Sequence, residues 1–329
     1  MKKKVISAVL TALLLFTGCS STANTGSVNA GKEGGTIRIG TMTDSELLYV
    51  VAVGKEKGIF DKYNITIEDT EFASGIESVD AIAQGQLDIG YVADFAGVNR
   101  IGNTIDSTDL NFFTVNNYSG DSYVLYYNPE TVSDVRDIKG KTIKSKAGTV
   151  NEYWVYKYIT QLGLTEDDVN IINIDDASTT IALASTGDVD LVFANAPVQI
   201  KLKELGWEAS DVTAKTVGSV VYSLLIANKS YLEENKELVA RFLDAYTEAQ
   251  DFILENPEEA ADIVYKRIGL DQEIFLAYIE AANLGLGLPQ EAIDDLQEIN
   301  VWAREYGLYD AEYDVNDYIY KDVLELVKK

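Results

Sequence analysis

The chain contains no histidine. Its absence removes the commonest general base and the commonest imidazole ligand for metals. A single cysteine, Cys19, leaves no intramolecular disulfide to form. Basic residues are scarce: 27 Lys and Arg stand against 53 Asp and Glu, a formal net charge of -26. So acidic a chain argues against nucleic acid and anionic lipid surfaces as partners. Proline occurs four times, and neither G-x-S-x-G nor H-E-x-x-H is present. After the first twenty residues there is no apolar run long enough to cross a bilayer.

The first residues, MKKKVISAVLTALLLFTGCSS, place three lysines before an apolar run, Val5–Phe16, and then Thr17-Gly18-Cys19. That layout is a secretory signal over 1–18, too short for a membrane-spanning helix. Its removal takes away three lysines and no acid, so the remainder is more acidic still. Residues 19–35 are rich in Ser, Thr, Asn and Gly and read as a flexible tether. The chain beyond the tether is too long for one ordinary domain and suits two.

This remaining chain is punctuated into α/β units. Thr36–Gly40 alternates as a strand, Leu47–Lys57 has helical period, and Ile65–Glu68 is a second strand. Ile76–Gln84 is a short helix and Leu87–Val92 a third strand. Strand, helix, strand, helix, strand with short links means a parallel sheet with right-handed crossovers. Phe112–Val115 and Tyr123–Tyr127 read as further strands. The pattern then restarts with strand Lys141–Lys144, helix Val150–Leu162, strand Val169–Ile174, helix Thr179–Ser185 and strand Leu191–Phe193. Gly187–Ala194 echoes Gly85–Val92, each after an alanine-containing helix. Val220–Ile226 is one more strand. From Leu238 onward the chain reads as helical, with Asn256-Pro257 as a break and Ala277–Leu284, Gln290–Tyr306 and Val315–Val327 as later helices.

The stretch Lys141–Ile159 organises the reading of function. A strand passes through Ala147-Gly148-Thr149 into a helix whose Val150, Trp154 and Tyr158 share one face. Unpaired N–H groups at such a start can hold an anion or a polar ligand head. An ordinary capped βα turn explains the same residues when they are taken alone.

The lipobox-like Leu15–Cys19, IRIGT followed by a helix ending GIF-DKYNI, AIAQGQLDIGYVADFAG, DIKGKTI…GTVNEYW and ALASTGDVDLVFANAP, in that order, resemble a solute-binding lipoprotein of bacterial ABC importers. The nearest subfamily is that of nitrate, sulfonate and taurine binders, which also holds binders of pyrimidine precursors of thiamine. The resemblance runs from about Thr36 to the end. It implies a two-lobed periplasmic-binding-protein type II α/β fold: two parallel-core sheets, helices on both faces, and two hinge crossovers near Tyr118–Val124 and Gly218–Leu224. Lobe one would be 36–120 plus 225–329, and lobe two 121–224. It further implies a lipid on Cys19, an extracytoplasmic location on the bacterial cell membrane, an ABC permease as partner, a monomer and no catalysis. No cofactor or metal is expected.

Ligands of parallel sheets bind beyond the carboxyl ends of strands, and two facing sheets make a closing cleft. The post-strand turns then supply the candidates Thr43, Asp44, Ser45, Ser74, Asp94, Phe95, Gly148, Thr149, Asn151, Asn195 and Tyr222. Helix capping accounts equally for Asp44 and Asp94. Core packing accounts for Phe95, Tyr222 and Trp154, and a solvent turn for Asn195. The turns carry Asp44, Glu46, Asp94 and Glu152, and no basic residue except Lys144 and Lys146. That balance suits a protonated amine or a heterocyclic donor better than a pure anion, and a taurine-like zwitterion fits both ends. An enzyme is the second reading. Pyrimidine synthases of this fold consume a histidine of their own, and the chain has none. A ligand-sensing or adhesive surface lipoprotein without a transport role is the third.

Overall fold

The computed structural model describes residues 34–42, 45–174 and 176–328. Cys19, Thr43 and Asp44, with the expected signal and tether, lie outside them. In chain order the elements are β1 (Gly35–Met42), α1 (Glu46–Glu56), α2 (Ile59–Lys62), β2 (Ile65–Phe72), α3 (Gly75–Ala83), β3 (Ile89–Ala93), α4 (Asp94–Thr104) and β4 (Leu110–Ser119). Next come β5 (Val124–Tyr127), β6 (Thr142–Ser145), α5 (Val150–Gln161), β7 (Asn170–Asn173), α6 (Ala177–Thr186), β8 (Leu191–Ala194), α7 (Ala196–Glu204) and β9 (Glu208–Thr213). The last are β10 (Val221–Asn228), α8 (Lys229–Glu234), α9 (Lys236–Glu255), α10 (Pro257–Ile268), α11 (Gln272–Ala281), β11 (Asn283–Gly287) and α12 (Gln290–Glu305).

Two sheets result, ordered β11-β4-β10-β3-β1-β2 and β7-β6-β8-β5-β9. In the first, β2, β1 and β3 pair in parallel and β10 joins antiparallel between β3 and β4. In the second, β7, β6 and β8 are parallel and β5 joins antiparallel. This is the two-lobed α/β architecture, with the parallel core of each sheet built by βαβ units.

Strand alternation sends successive residues to opposite faces, and both faces are covered. On the first sheet Ile37, Ile39, Ile67, Phe113 and Leu225 meet α1 and α9 residues such as Val50 and Phe242. Their neighbours Val92, Phe112, Leu224 and Ile226 meet α3, α4 and α12. On the second sheet Leu125, Ile143 and Leu191 pack under α5, while Tyr126, Val192 and Ala194 face the side of α6 and α7. Gly97 lets α4 lie close to β4, because a Cβ there would sit 2.6 Å from Phe112. Gly187, at φ 78°, ends α6 in the left-handed region that glycine tolerates.

Two expected helices are corrected. Ala277–Leu284 is not one helix: α11 stops at Ala281 and Asn283–Gly287 is the strand β11, paired with β4. Val315–Val327 is not an α-helix. It holds short 3-10 turns at Val315–Tyr318 and Leu324–Leu326, with Ile319 bridging Phe112 and the Tyr320 amide donating to the Phe112 carbonyl at 2.9 Å. In both places the unpaired edge of β4 offers backbone hydrogen bonds that outweigh local helical preference.

Candidate ligand-binding cleft

The chain passes between the sheets twice, from β4 to β5 and from β9 back to β10. The two crossings run side by side. The Ala214 amide donates to the Tyr123 carbonyl at 2.9 Å and the Lys215 amide to the Gly120 carbonyl at 3.3 Å. Side chains from the crossings meet the second sheet's first helix. The Tyr123 and Trp154 rings lie 4.6 Å apart, and Trp154 Nε1 donates to Ser219 Oγ at 3.1 Å. Trp154 is thus buried on its own lobe while its polar atom ties α5 to the second crossing.

The parallel strands end at Met42, Phe72 and Ala93 in one sheet and at Ser145, Asn173 and Ala194 in the other. The candidate residues lie just past these ends, and most of their polar atoms already have partners within the chain. Ser45 is fully buried, caps α1, and accepts from the Leu48 and Met42 amides, each at 3.3 Å. Ser74 caps α3, accepting from the Glu77 amide at 3.4 Å. Thr149 caps α5, accepting from the Asn151 amide at 3.3 Å and donating to the Lys146 carbonyl at 2.7 Å. The Gly148 amide donates to Glu152 Oε2 at 2.8 Å, and Asn151 Oδ1 accepts from Lys144 Nζ at 3.1 Å. Phe95 is buried in the core. Asn195 is exposed and makes no capping bond.

Asp94 joins two elements. Its Oδ1 accepts from the Phe95 amide at 2.6 Å and its Oδ2 from the Tyr222 amide at 2.9 Å, so it stitches the start of α4 to the start of β10. Complete burial pushes its carboxyl up to about 7; the two amides pull it back in part, and the charge of Asp295 adds to the rise. The Tyr222 hydroxyl donates to Asp295 Oδ2 at 3.1 Å. Burial likewise lifts the carboxyl of Asp295, with Glu298 and Glu291 adding to it.

A second buried carboxylate, Glu46, stands at the start of α1. It accepts from Tyr278 OH at 2.6 Å, Asn116 Nδ2 at 3.1 Å and Tyr91 OH at 3.4 Å. Tyr91 OH also lies 2.8 Å from Ser223 Oγ. The sequence placed Glu46 in a cleft turn but carried no sign of these partners, which come from β3, β4 and α11. Tyr123 was equally unmarked as a site residue. Burial raises its hydroxyl pKa, and the charges of Asp94 and Glu46 raise it further.

The lobes also touch along α5 and α12. Tyr153 lies 5.0 Å from Trp302 and 6.4 Å from Phe95, and Tyr156 lies 5.5 Å from Trp302. Lys157 Nζ pairs with Glu298 Oε1 at 2.6 Å. Beside this contact, along α5 and β7, lies a cavity of about 350 Å³ floored by Val155 and Ile171. Ser145, Glu152, Glu166, Asp167, Asn173 and Tyr306 supply its polar wall.

The family model described as "NMT1/THI5 like" matches residues 47–260. A Bacillus subtilis protein named as an aliphatic sulfonates-binding protein is 27% identical over 289 residues, covering 83% of this chain and 81% of its own. A Brachyspira hyodysenteriae protein named as an ABC transporter periplasmic binding protein is 23% identical over 275 residues, 78% of this chain and 76% of its own. Among solved structures, the periplasmic aliphatic sulphonate binding protein SsuA of Escherichia coli superposes with a TM-score of 0.73 at 18% identity. That match covers 87% of this chain and 92% of SsuA.

Proposed function

The chain belongs to the NMT1/THI5-like family, and on that premise we propose that it is the extracytoplasmic solute-binding component of an ABC importer. The observation that carries this reading is the arrangement of the two sheets. Each presents the carboxyl ends of parallel strands, and only two adjacent crossings, 119–124 and 213–221, join them. That is the build of a hinge with a ligand between its halves. In this reading 36–120 with 221–329 is one lobe and 121–220 the other, the boundary falling at 221 and not at 225 because the whole of β10 pairs within the first sheet. The solute is a small polar metabolite, held by the post-strand turns of both lobes. Asp94, Thr149, Asn151, Asn195 and Tyr222 are in its walls, together with Tyr123.

The reading extends to the rest of the chain. Residues 1–18 direct export, Cys19 carries lipid, and 19–35 tether the monomeric binding unit to the membrane beside its permease. In this reading the chain binds and does not catalyse. Its buried carboxylates, Asp94 and Glu46, are engaged by amides, hydroxyls and an amide side chain. A thermal-shift screen of small metabolites tests the reading. A true solute present at ~100 times its dissociation constant stabilises the fold by about 2.7 kcal/mol and raises the melting temperature. A broad panel of small sulfonates, amines, amino acids and pyrimidines that leaves the melt unmoved would contradict it.

A further inference from the structure

We propose that the solute is a small organic cation, with its ammonium group seated between Ser145, Glu152 and Glu166, and that this seat rejects sulfonates and other anions. The inference rests on the solute-binding reading above and adds the charge of the solute.

An anion bound at a helix start uses free amides and the positive end of the dipole. Here four helix starts beyond the parallel strands carry the chain's own carboxylates. The Gly148 amide at α5 donates to Glu152, and the Ala73 amide at α3 donates to Glu77 Oε2 at 3.1 Å. The Phe95 amide at α4 donates to Asp94, and Glu46 occupies the first position of α1. A sulfonate arriving at the start of α3 or α5 would meet a carboxylate where it needs a donor, whereas the start of α7, after β8, carries no acidic residue and no capping bond.

Ser145 supplies an independent observation. It ends β6, is 1% exposed, and its Oγ has no hydrogen-bond partner, although it lines the cavity beside α5. A buried hydroxyl left without a partner is rare and costly, and a bound ligand would satisfy it. Around it the wall is acidic. None of the ion pairs among the described residues engages Glu152, Glu166 or Asp167; of the nearby cations Lys139 pairs with Asp168, Lys157 with Glu298, and Lys144 donates to Asn151 Oδ1. Glu166 accepts from Tyr306 OH at 2.5 Å, which leaves its charge without a cation. The cation proposed for this wall is an organic ammonium, which uses apolar surface as well as charge. Val155 and Ile171 offer its carbon skeleton an apolar floor. Tyr306 belongs to the end of α12 and the other lining residues to lobe two, so occupancy ties the lobes together.

Calorimetric titration of the purified protein with a charge-graded panel tests this. Ethanolamine, 1,3-diaminopropane and benzylamine are the cations, taurine the zwitterion, and ethanesulfonate and benzenesulfonate the anions. At least one cation should bind, the sulfonates should not, and Glu166→Gln should weaken that cation roughly ten- to a hundredfold, the loss of one charge-assisted hydrogen bond. Ser145→Ala should weaken it several-fold while the free protein melts no lower than the parent. Binding of a sulfonate but no cation overturns the inference and leaves the solute-binding reading standing. Cation binding that is indifferent to Glu166→Gln, Glu152→Gln and Ser145→Ala overturns the seat. Silence from every compound overturns the inference here, and together with silence in the wider metabolite screen it overturns the solute-binding reading as well.

Discussion

Asp94 offers a prediction whose size comes from its surroundings. Its carboxyl sits fully buried between the Phe95 and Tyr222 amides, and burial lifts it from 3.8 to about 7. The folded chain therefore holds this proton more tightly than the unfolded chain does. The resulting stability is fully present below 3.8 and is lost as pH rises through about 7. Each tenfold change in acidity corresponds to about 1.4 kcal/mol, so the loss across that window is roughly 4 kcal/mol. Asp168 and Asp176, both held down to about 2, act in the opposite direction and at lower pH, so they fall outside the window. Asp94→Asn mimics the protonated carboxyl and cannot ionise. Urea unfolding of both proteins between about pH 4 and 7.5 should show near-equal stabilities at the acid end and a variant that gains on the parent as pH rises. Two curves that stay parallel throughout would refute the argument that Asp94 is ionised against its burial.

The remaining predictions concern attachment and closure. Cys19→Ser should move the protein from the membrane fraction to the soluble fraction, and unchanged partitioning would rule out lipid on that residue. Lys157→Met removes the α5–α12 ion pair, whose partners are 15% and 56% exposed. A pair so placed contributes about 0.2–1 kcal/mol, so ligand affinity should fall by about 1.4- to fivefold through faster release in stopped-flow experiments. An unchanged release rate would deny the pair a part in holding the lobes together.

The parallel cores of both sheets were legible because each unit is short, locally punctuated and periodic. Leu87–Val92 and Leu191–Phe193 announce strands from their own residues. The strand β11 was not legible, because Ala281-Ala282-Asn283-Leu284 continues the composition of α11. What makes it a strand is distant: the Asn283 amide donates to Asn117 Oδ1 at 3.0 Å and its side chain to the Tyr118 carbonyl at 3.0 Å. The carboxyl-terminal segment misled for the same reason, since Val315, Ile319 and Val323 have helical spacing but dock on β4 instead. The candidate site divides similarly. Turn residues after strands were identifiable by position, and their capping bonds agree with ordinary βα chemistry. Glu46 could be placed in a turn, but its acceptance from Tyr278, 232 residues away, could not. Tyr123 lies on a crossing, where nothing local distinguishes a site residue from a strand residue.

Small-angle X-ray scattering of the protein alone and saturated with the best compound from the thermal screen tests the central claim most directly. A binding protein whose lobes close on their solute should show a smaller radius of gyration when saturated, with a profile that fits the arrangement in which Tyr153 packs on Trp302 and Lys157 pairs with Glu298. A tightly bound compound that leaves the scattering profile unchanged would contradict a closing cleft.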